Sequence, residues 1–192
     1  MNTDKKLTRR QWFEYWWTLP VGGALSAGAY MAFYAARITF FKRRAGAPQF
    51  IPGKEVKVAQ FSDFGETYAS KTFEYGIGPQ TVPGIVLRLP EKTEASISVN
   101  GAHIAAFSRI CTHLGCPVQP LNDPEAAAVT YNYRPSRPVL GCPCHFSMFD
   151  PLLDGESIYG KALYPLPRFQ LKAKGTDIYA VGIEPDPNVT RI

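Results

Sequence analysis

Six residues able to ligate a metal fall in two short boxes. The first reads Cys111-Thr112-His113-Leu114-Gly115-Cys116, the second Cys142-Pro143-Cys144-His145-Phe146-Ser147. Together they hold all four cysteines of the 192-residue chain and two of its three histidines. Each offers one Cys/His pair at ligand spacing, C-x-H in the first and C-x-x-H in the second, with one cysteine to spare. Two thiolates and two imidazoles are a donor set for a tetrahedral zinc ion or for an iron-sulfur centre.

Usual zinc ligand spacings run C-x(2 to 4)-C and H-x(3 to 5)-H rather than C-x-H paired with C-x-x-H, and a zinc ion held by those Cys/His pairs leaves Cys116 and Cys144 without a role. The same four donors suit a [2Fe-2S] cluster with two cysteines on one iron and two histidines on the other. Neutral imidazoles leave such a cluster less negative than four thiolates would, so it accepts an electron more easily. On the residues alone, a zinc-stabilised, membrane-tethered interaction domain stays open as a reading from another class.

The run CTHLGC followed by CPCH-x-S resembles the Rieske iron-sulfur protein of cytochrome bc-type complexes, closely over the cluster-binding half and in kind at the N-terminus. The resemblance implies that Cys111 and Cys142 hold one iron and His113 and His145 the other. It implies a Cys116–Cys144 disulfide clamping the loops, and a Ser147 hydroxyl that donates to a bridging sulfur. It further implies an electron-transfer subunit of a quinol:cytochrome c oxidoreductase, within a dimeric complex. His145, with His113 beside it, would contact quinol, and the partners would be a cytochrome b subunit and a c-type cytochrome.

Three departures from that family stand out. Phe149 occupies the position where many high-potential members carry a tyrosine that donates to a cysteine sulfur. Phe146 replaces a usual glycine, and Gly160-Lys161-Ala162-Leu163 stands where a G-P-A-P loop often covers the cluster. Losing the tyrosine donor implies a potential below the top of the family's range, consistent with a menaquinol donor. CPCHFS with a following Phe-Asp is also similar to the small subunit of arsenite oxidase, which supplies a second reading.

The remainder of the chain must anchor and position these boxes. Its net charge of +5 is uneven: residues 1–44 carry eight basic side chains against Asp4 and Glu14, leaving the rest near neutral. That distribution removes the electrostatic argument for nucleic-acid binding. Residues 15–36 form an uncharged run long enough, as a helix, to cross a bilayer, with Trp12, Trp16 and Trp17 at its start and Tyr34, Phe40 and Phe41 towards its end. Pro20 is expected to bend this helix near its entry, and Gly22, Gly23, Ser26, Ala27 and Gly28 to give it a small-residue face for partner helices. Thr8-Arg9-Arg10-Gln11-Trp12-Phe13 resembles a twin-arginine export signal. With no small-x-small cleavage site after the apolar run, the segment is expected to remain as an anchor in the lipid of the inner membrane, N-terminus cytoplasmic and cluster domain outside.

The expected division is therefore 1–41 for cytoplasmic tip and transmembrane anchor, 42–53 for a hinge linker rich in Gly, Pro and basic residues, and 54–192 for the cluster domain. From residue 54 the chain shows short apolar stretches between turn residues: VKVAQF, KTFEYGI, GIVLRL, ASISV, HIAAFSRI, FQLKA and DIYAVGI. This pattern predicts an all-β fold, an antiparallel Rieske-type domain with cluster-binding loops. Asn100-Gly101 predicts a type I′ hairpin, and Gly175-Thr176-Asp177 a second one. His103 is read as an ordinary strand histidine. Between the boxes, five prolines with Asn122 and Asp123 predict a segment that is mostly loop, with residues 120–138 a surface insertion.

Overall fold

A computed structural model describes residues 8–186. Lys5 and Lys6 of the basic tip, and residues 187–192 of the expected cluster domain, lie outside the described residues. The chain divides into two compact units between Phe41 and Lys42.

The first unit is helical. Helix α1, Arg9–Tyr15, is capped by Thr8: the Gln11 amide N–H donates to Thr8 Oγ1, and the Thr8 N–H donates to Gln11 Oε1. The two arginines of the export-like motif thus occupy the first turn of a helix. Helix α2, Thr18–Phe40, is 23 residues long and follows a break at Trp16 and Trp17. Pro20 lies in its first turn, where a missing N–H removes no intrahelical bond, so the interruption comes before the proline and not at it. No helix among the described residues is long and apolar enough to cross a membrane. The uncharged run is helical as expected, but its glycines, Ser26, Tyr30 and Tyr34 dilute its hydropathy. Its large apolar side chains, including Leu19, Leu25, Met31 and Phe33, are exposed.

The second unit is built from three antiparallel sheets. Strands β1 (Ile51–Gln60), β10 (Phe169–Lys174) and β11 (Asp177–Ile183) make the first, in the order β1-β11-β10. The second has the order β2-β3-β5-β4, from β2 (Ser70–Ile77), β3 (Gln80–Leu89), β4 (Ile97–Val99) and β5 (Ala102–Ser108). The third, β6-β7-β8-β9, comprises β6 (Gln119–Leu121), β7 (Val139–Cys142), β8 (Ser147–Asp150) and β9 (Glu156–Tyr159).

The middle sheet explains why β3 and β5 read as nearly continuous apolar runs rather than alternating ones. Side chains alternate across a strand, and here both faces are covered. Val82 and Val86 of β3, with Ile104 and Ala106 of β5, enter a core shared with Phe169, Ile178 and Ala180 of the first sheet. Ile85, Leu87 and Leu89, with Ala105 and Phe107, face the other way into a core completed by Leu140 and Phe149 of the third sheet. Cys111 and Cys142 belong to this second core, so the same packing that folds the domain fixes two candidate ligands. Burying each large side chain of this kind stabilises by about 1.5–3 kcal/mol.

All seven expected strands form. Asn100 and Gly101 adopt φ of 48° and 78° between the paired residues Val99 and Ala102, as a type I′ turn requires. The second hairpin turns on Gly175 and Thr176 alone, and Asp177 already pairs with Lys174. Three differences from expectation concern irregular segments. Residues 51–53, expected as linker, are the start of β1. Residues 120–138 are not mostly loop: they contain the end of β6 and helix α3, Pro124–Tyr131. Asp123 caps α3, Pro124 sits where its missing N–H is harmless, and Asn132 ends it in a left-handed conformation. Finally, the four short strands of the third sheet surround the boxes without having announced themselves by periodicity.

Candidate metal centre

The first box is a tight loop leading from β5 to β6. The Cys111 N–H donates to the Cys116 carbonyl at 2.8 Å, and the Gly115 N–H returns to the Cys111 carbonyl at 2.9 Å. The second box is a hairpin: Cys142 ends β7, Ser147 begins β8 and pairs with it, and Pro143 to Phe146 form the turn. Cys142 is held by strand pairing, whereas His145 projects from the turn.

The Cys116–Cys144 disulfide joins the two loops, with their α-carbons 6.5 Å apart. Cys111 and Cys142 remain free thiols, each 1% exposed. The sulfurs of Cys116, Cys142 and Cys144 also cluster within 4.8 Å. That trio is no ligand set, because two of its sulfurs are consumed in the bond between them. The ligand-grade pair is Cys111 and Cys142, whose side chains are hydrogen-bonded to each other. Burial pushes the Cys111 thiol up to about 12, while the backbone N–H groups of His113 and Leu114 oppose this by donating to its sulfur. Metal coordination deprotonates such a thiol outright, and those N–H groups then stabilise the thiolate.

His113 and His145 meet edge to face, with ring centroids 4.7 Å apart. Both are half-buried. Burial, then the neighbouring His145 and Lys161, lower the His113 pKa from its ordinary value and favour neutral imidazole, the form that ligates a metal. His113 Nδ1 is buried with no hydrogen-bond partner, an orphan that a bound iron would satisfy. Two contacting buried thiols, two adjacent imidazoles and this orphan nitrogen fit a cluster with cysteines on one iron and histidines on the other.

Around the donors, the structure adds a support that the sequence reading left as a mere departure from family pattern. Gly160-Lys161-Ala162-Leu163 folds against the second box. The Ala162 N–H donates to Ser147 Oγ at 3.0 Å, and the Ala162 carbonyl accepts from Ser157 Oγ at 2.8 Å. Ser147, fully buried, thereby has its oxygen engaged as an acceptor while its own proton remains available to donate. Thr112 Oγ1 donates to the Tyr164 carbonyl at 2.8 Å, tying the first box to the same segment. The Arg43 N–H donates to the Leu163 carbonyl and Arg168 Nη2 to the Gly46 carbonyl, so residues 43–46 are bonded onto this side of the domain. Thr112 carries no spacing signal that would have marked it in the sequence. His103 bonds Ser98 on a strand, as an ordinary strand histidine does.

An antiparallel β domain here presents two thiols and two imidazoles from disulfide-linked loops, a donor set that fits an iron-sulfur cluster. Residues 85–170 match the Rieske [2Fe-2S] domain family, a match that implies a [2Fe-2S] cluster held by this part of the chain. Zinc, open on donor types alone, gives way to this assignment. Iodate reductase subunit IdrB of Denitromonas iodatirespirans is 37% identical over 84 residues, 43% of this chain and 40% of that protein. The menaquinol:cytochrome c reductase iron-sulfur subunit of Bacillus subtilis is 32% identical over 90 residues, 46% of this chain and 47% of that one. The matched stretches thus span less than half the length of these relatives. The soluble domain of Rieske protein II from Sulfolobus acidocaldarius shares the fold, with a TM-score of 0.50 and 24% identity over 68% of this chain and 78% of that one.

Proposed function

We propose that the chain is the iron-sulfur subunit of a membrane quinol:cytochrome c oxidoreductase and takes electrons from a menaquinol. The observation that carries this reading is the histidine pair: His113 and His145 lie together at the half-exposed edge of the boxes, flanked by the exposed apolar side chains of Leu114 and Phe146. A neutral imidazole accepts a hydrogen bond from a quinol hydroxyl, and an apolar collar suits a quinone ring. When bound, the cluster takes up and passes on one electron at a time.

In this reading Cys111, Cys142, His113 and His145 are the ligands. His145 and His113 would orient the quinol and accept its proton at an imidazole nitrogen not used as a ligand. Ser147 would donate to cluster sulfur, which would favour the reduced state and raise the potential, while Phe149 adds no donor. The partners are a cytochrome b subunit and a c-type cytochrome in a dimeric complex. Helix α2 is the membrane anchor, with the cluster domain outside. Its 23 residues, its aromatic side chains towards both ends and its small-residue face support a span whose shortfall in hydropathy is made up by packing against partner helices and lipid. The menaquinol:cytochrome c reductase relative supports the same function.

The match to iodate reductase subunit IdrB favours a second reading: a Rieske electron carrier serving an oxyanion oxidoreductase, as in arsenite oxidase. Purifying the full chain from its native membrane separates the two. Copurification with cytochrome b, and reduction of the cluster by a menaquinol analogue read from its EPR signal, is the expected result. Copurification with an oxyanion-reducing or arsenite-oxidising subunit, with no reduction by quinol, overturns the first reading and supports the second.

A further inference from the structure

Cys142 is a free thiol, 1% exposed. Its sulfur and the two of the Cys116–Cys144 disulfide all lie within 4.8 Å of one another. A sulfur–sulfur bond measures about 2.05 Å, so a movement of less than about 3 Å carries the Cys142 sulfur onto the disulfide. Thiol–disulfide exchange needs such an approach by a thiolate, and the sulfur that best bears negative charge leaves most readily. The two disulfide sulfurs differ in this respect. Cys144 stands exposed on the turn of the second box, whereas Cys116 is half-buried. Water solvates charge on Cys144, which makes Cys144 the leaving sulfur and Cys116 the one attacked. A Cys116–Cys142 bond closes a loop two residues shorter than the present sequence separation of 28, so chain entropy hardly distinguishes the two pairings.

We propose that in the cluster-free chain the Cys142 thiol exchanges with the Cys116–Cys144 disulfide, storing a ligand sulfur in a Cys116–Cys142 bond and leaving Cys144 free. The Cys142 sulfur gives up its proton to water and attacks the Cys116 sulfur. The Cys116–Cys144 bond breaks, and Cys144 leaves as a thiolate that takes up a proton. One disulfide and two thiols stand on each side, so no oxidant or reductant is consumed. Cys111 then lacks its partner thiol for a cluster, and loading waits on the reverse exchange. Iron bound at Cys142 withdraws the nucleophile, so a loaded site keeps its own clamp in place.

The consequence for loading rests on Cys142 being a cluster ligand; the exchange itself does not, and neither depends on the electron donor. The test uses the full chain stripped of its cluster by a chelator, without oxygen or added thiol, beside the cluster-loaded chain. Samples are quenched with iodoacetamide over minutes to hours, the range of uncatalysed disulfide rearrangement. Non-reducing peptide mapping with tandem mass spectrometry then places label and linkage on each cysteine. The cluster-free chain is expected to gain label on Cys144 together with a Cys116–Cys142 link, while the loaded chain keeps Cys116–Cys144 and an unlabelled Cys144. Cys142→Ser, which removes the nucleophile, keeps the original disulfide. A cluster-free chain that retains only Cys116–Cys144, or that links Cys142 to Cys144, overturns the proposal. Equal exchange in the loaded chain overturns it by removing Cys142 from the ligand set, and label on Cys144 in Cys142→Ser overturns it because the disulfide then opens without that thiol. Where Cys142→Ser does not fold, the map of the unmodified cluster-free chain decides alone.

Discussion

Gly160 and Ser147 pass at backbone contact: a β-carbon on Gly160 would lie 2.5 Å from Ser147 Cα, and closer still to the Phe146 carbonyl oxygen. Gly160 also sits at φ 86°, where a side chain is strained. This approach lets the Ala162 N–H reach Ser147 Oγ. Gly160→Ala is expected to destabilise the domain by about 3 kcal/mol or more, through strain and a backbone clash together. Thermal unfolding and iron content per chain measure it, and full cluster occupancy with unchanged stability would contradict the account.

The Cys116–Cys144 bond closes a loop with a sequence separation of 28. Chain-entropy reasoning gives about 3–4 kcal/mol for a loop of this size. The double replacement Cys116→Ala with Cys144→Ala should reduce unfolding stability by about that amount in guanidinium titrations. Iron content should fall too, because the loops carrying His113 and His145 are no longer clamped together.

Arg168 is almost wholly buried and is held by Glu184, with Nη2 to Oε1 at 2.6 Å and Nε to Oε2 at 2.8 Å. Removing one partner of a buried pair leaves an uncompensated charge, which costs about 3–5 kcal/mol. Glu184→Ala is expected to lose that much in denaturant unfolding. Replacing both residues with apolar ones of similar size should cost much less.

Asp63 accepts from the Gln60 N–H at 2.9 Å and pairs with Lys71 at 2.7 Å. The Gln60 bond, then the one from Lys71, hold its carboxyl below the ordinary value of 3.8. A depressed folded-state pKa contributes stability that is present above about pH 4 and is lost as pH falls through the lowered value. Asp63→Asn should therefore be less stable than the parent at neutral pH, and the difference should vanish in strong acid. Parallel unfolding curves across that range check the sign.

The strands of the first two sheets were legible because most run long enough for burial to leave a pattern, as in GIVLRL of β3 and DIYAVGI of β11. The third sheet was not, since strands such as Gln119–Leu121 and Val139–Cys142 are three or four residues long. Helix α3 left marks that could have been read: Asp123 and Pro124 at its start, three alanines, and Asn132 at its end. The surrounding prolines instead directed the reading to loop. At the site, the cysteines and histidines stood out by type and spacing. Thr112 did not, because it acts across a fold contact with Tyr164 that no local spacing encodes.

Three contacts hold residues 42–46 down within the cluster domain: the Arg43 N–H donates to the Leu163 carbonyl, Arg168 Nη2 to the Gly46 carbonyl, and Lys42 Nζ to Ser157 Oγ at 3.5 Å. A stretch whose composition reads as a linker is therefore a strap on the folded surface, and a substitution that frees it also loosens the segment that braces the second box.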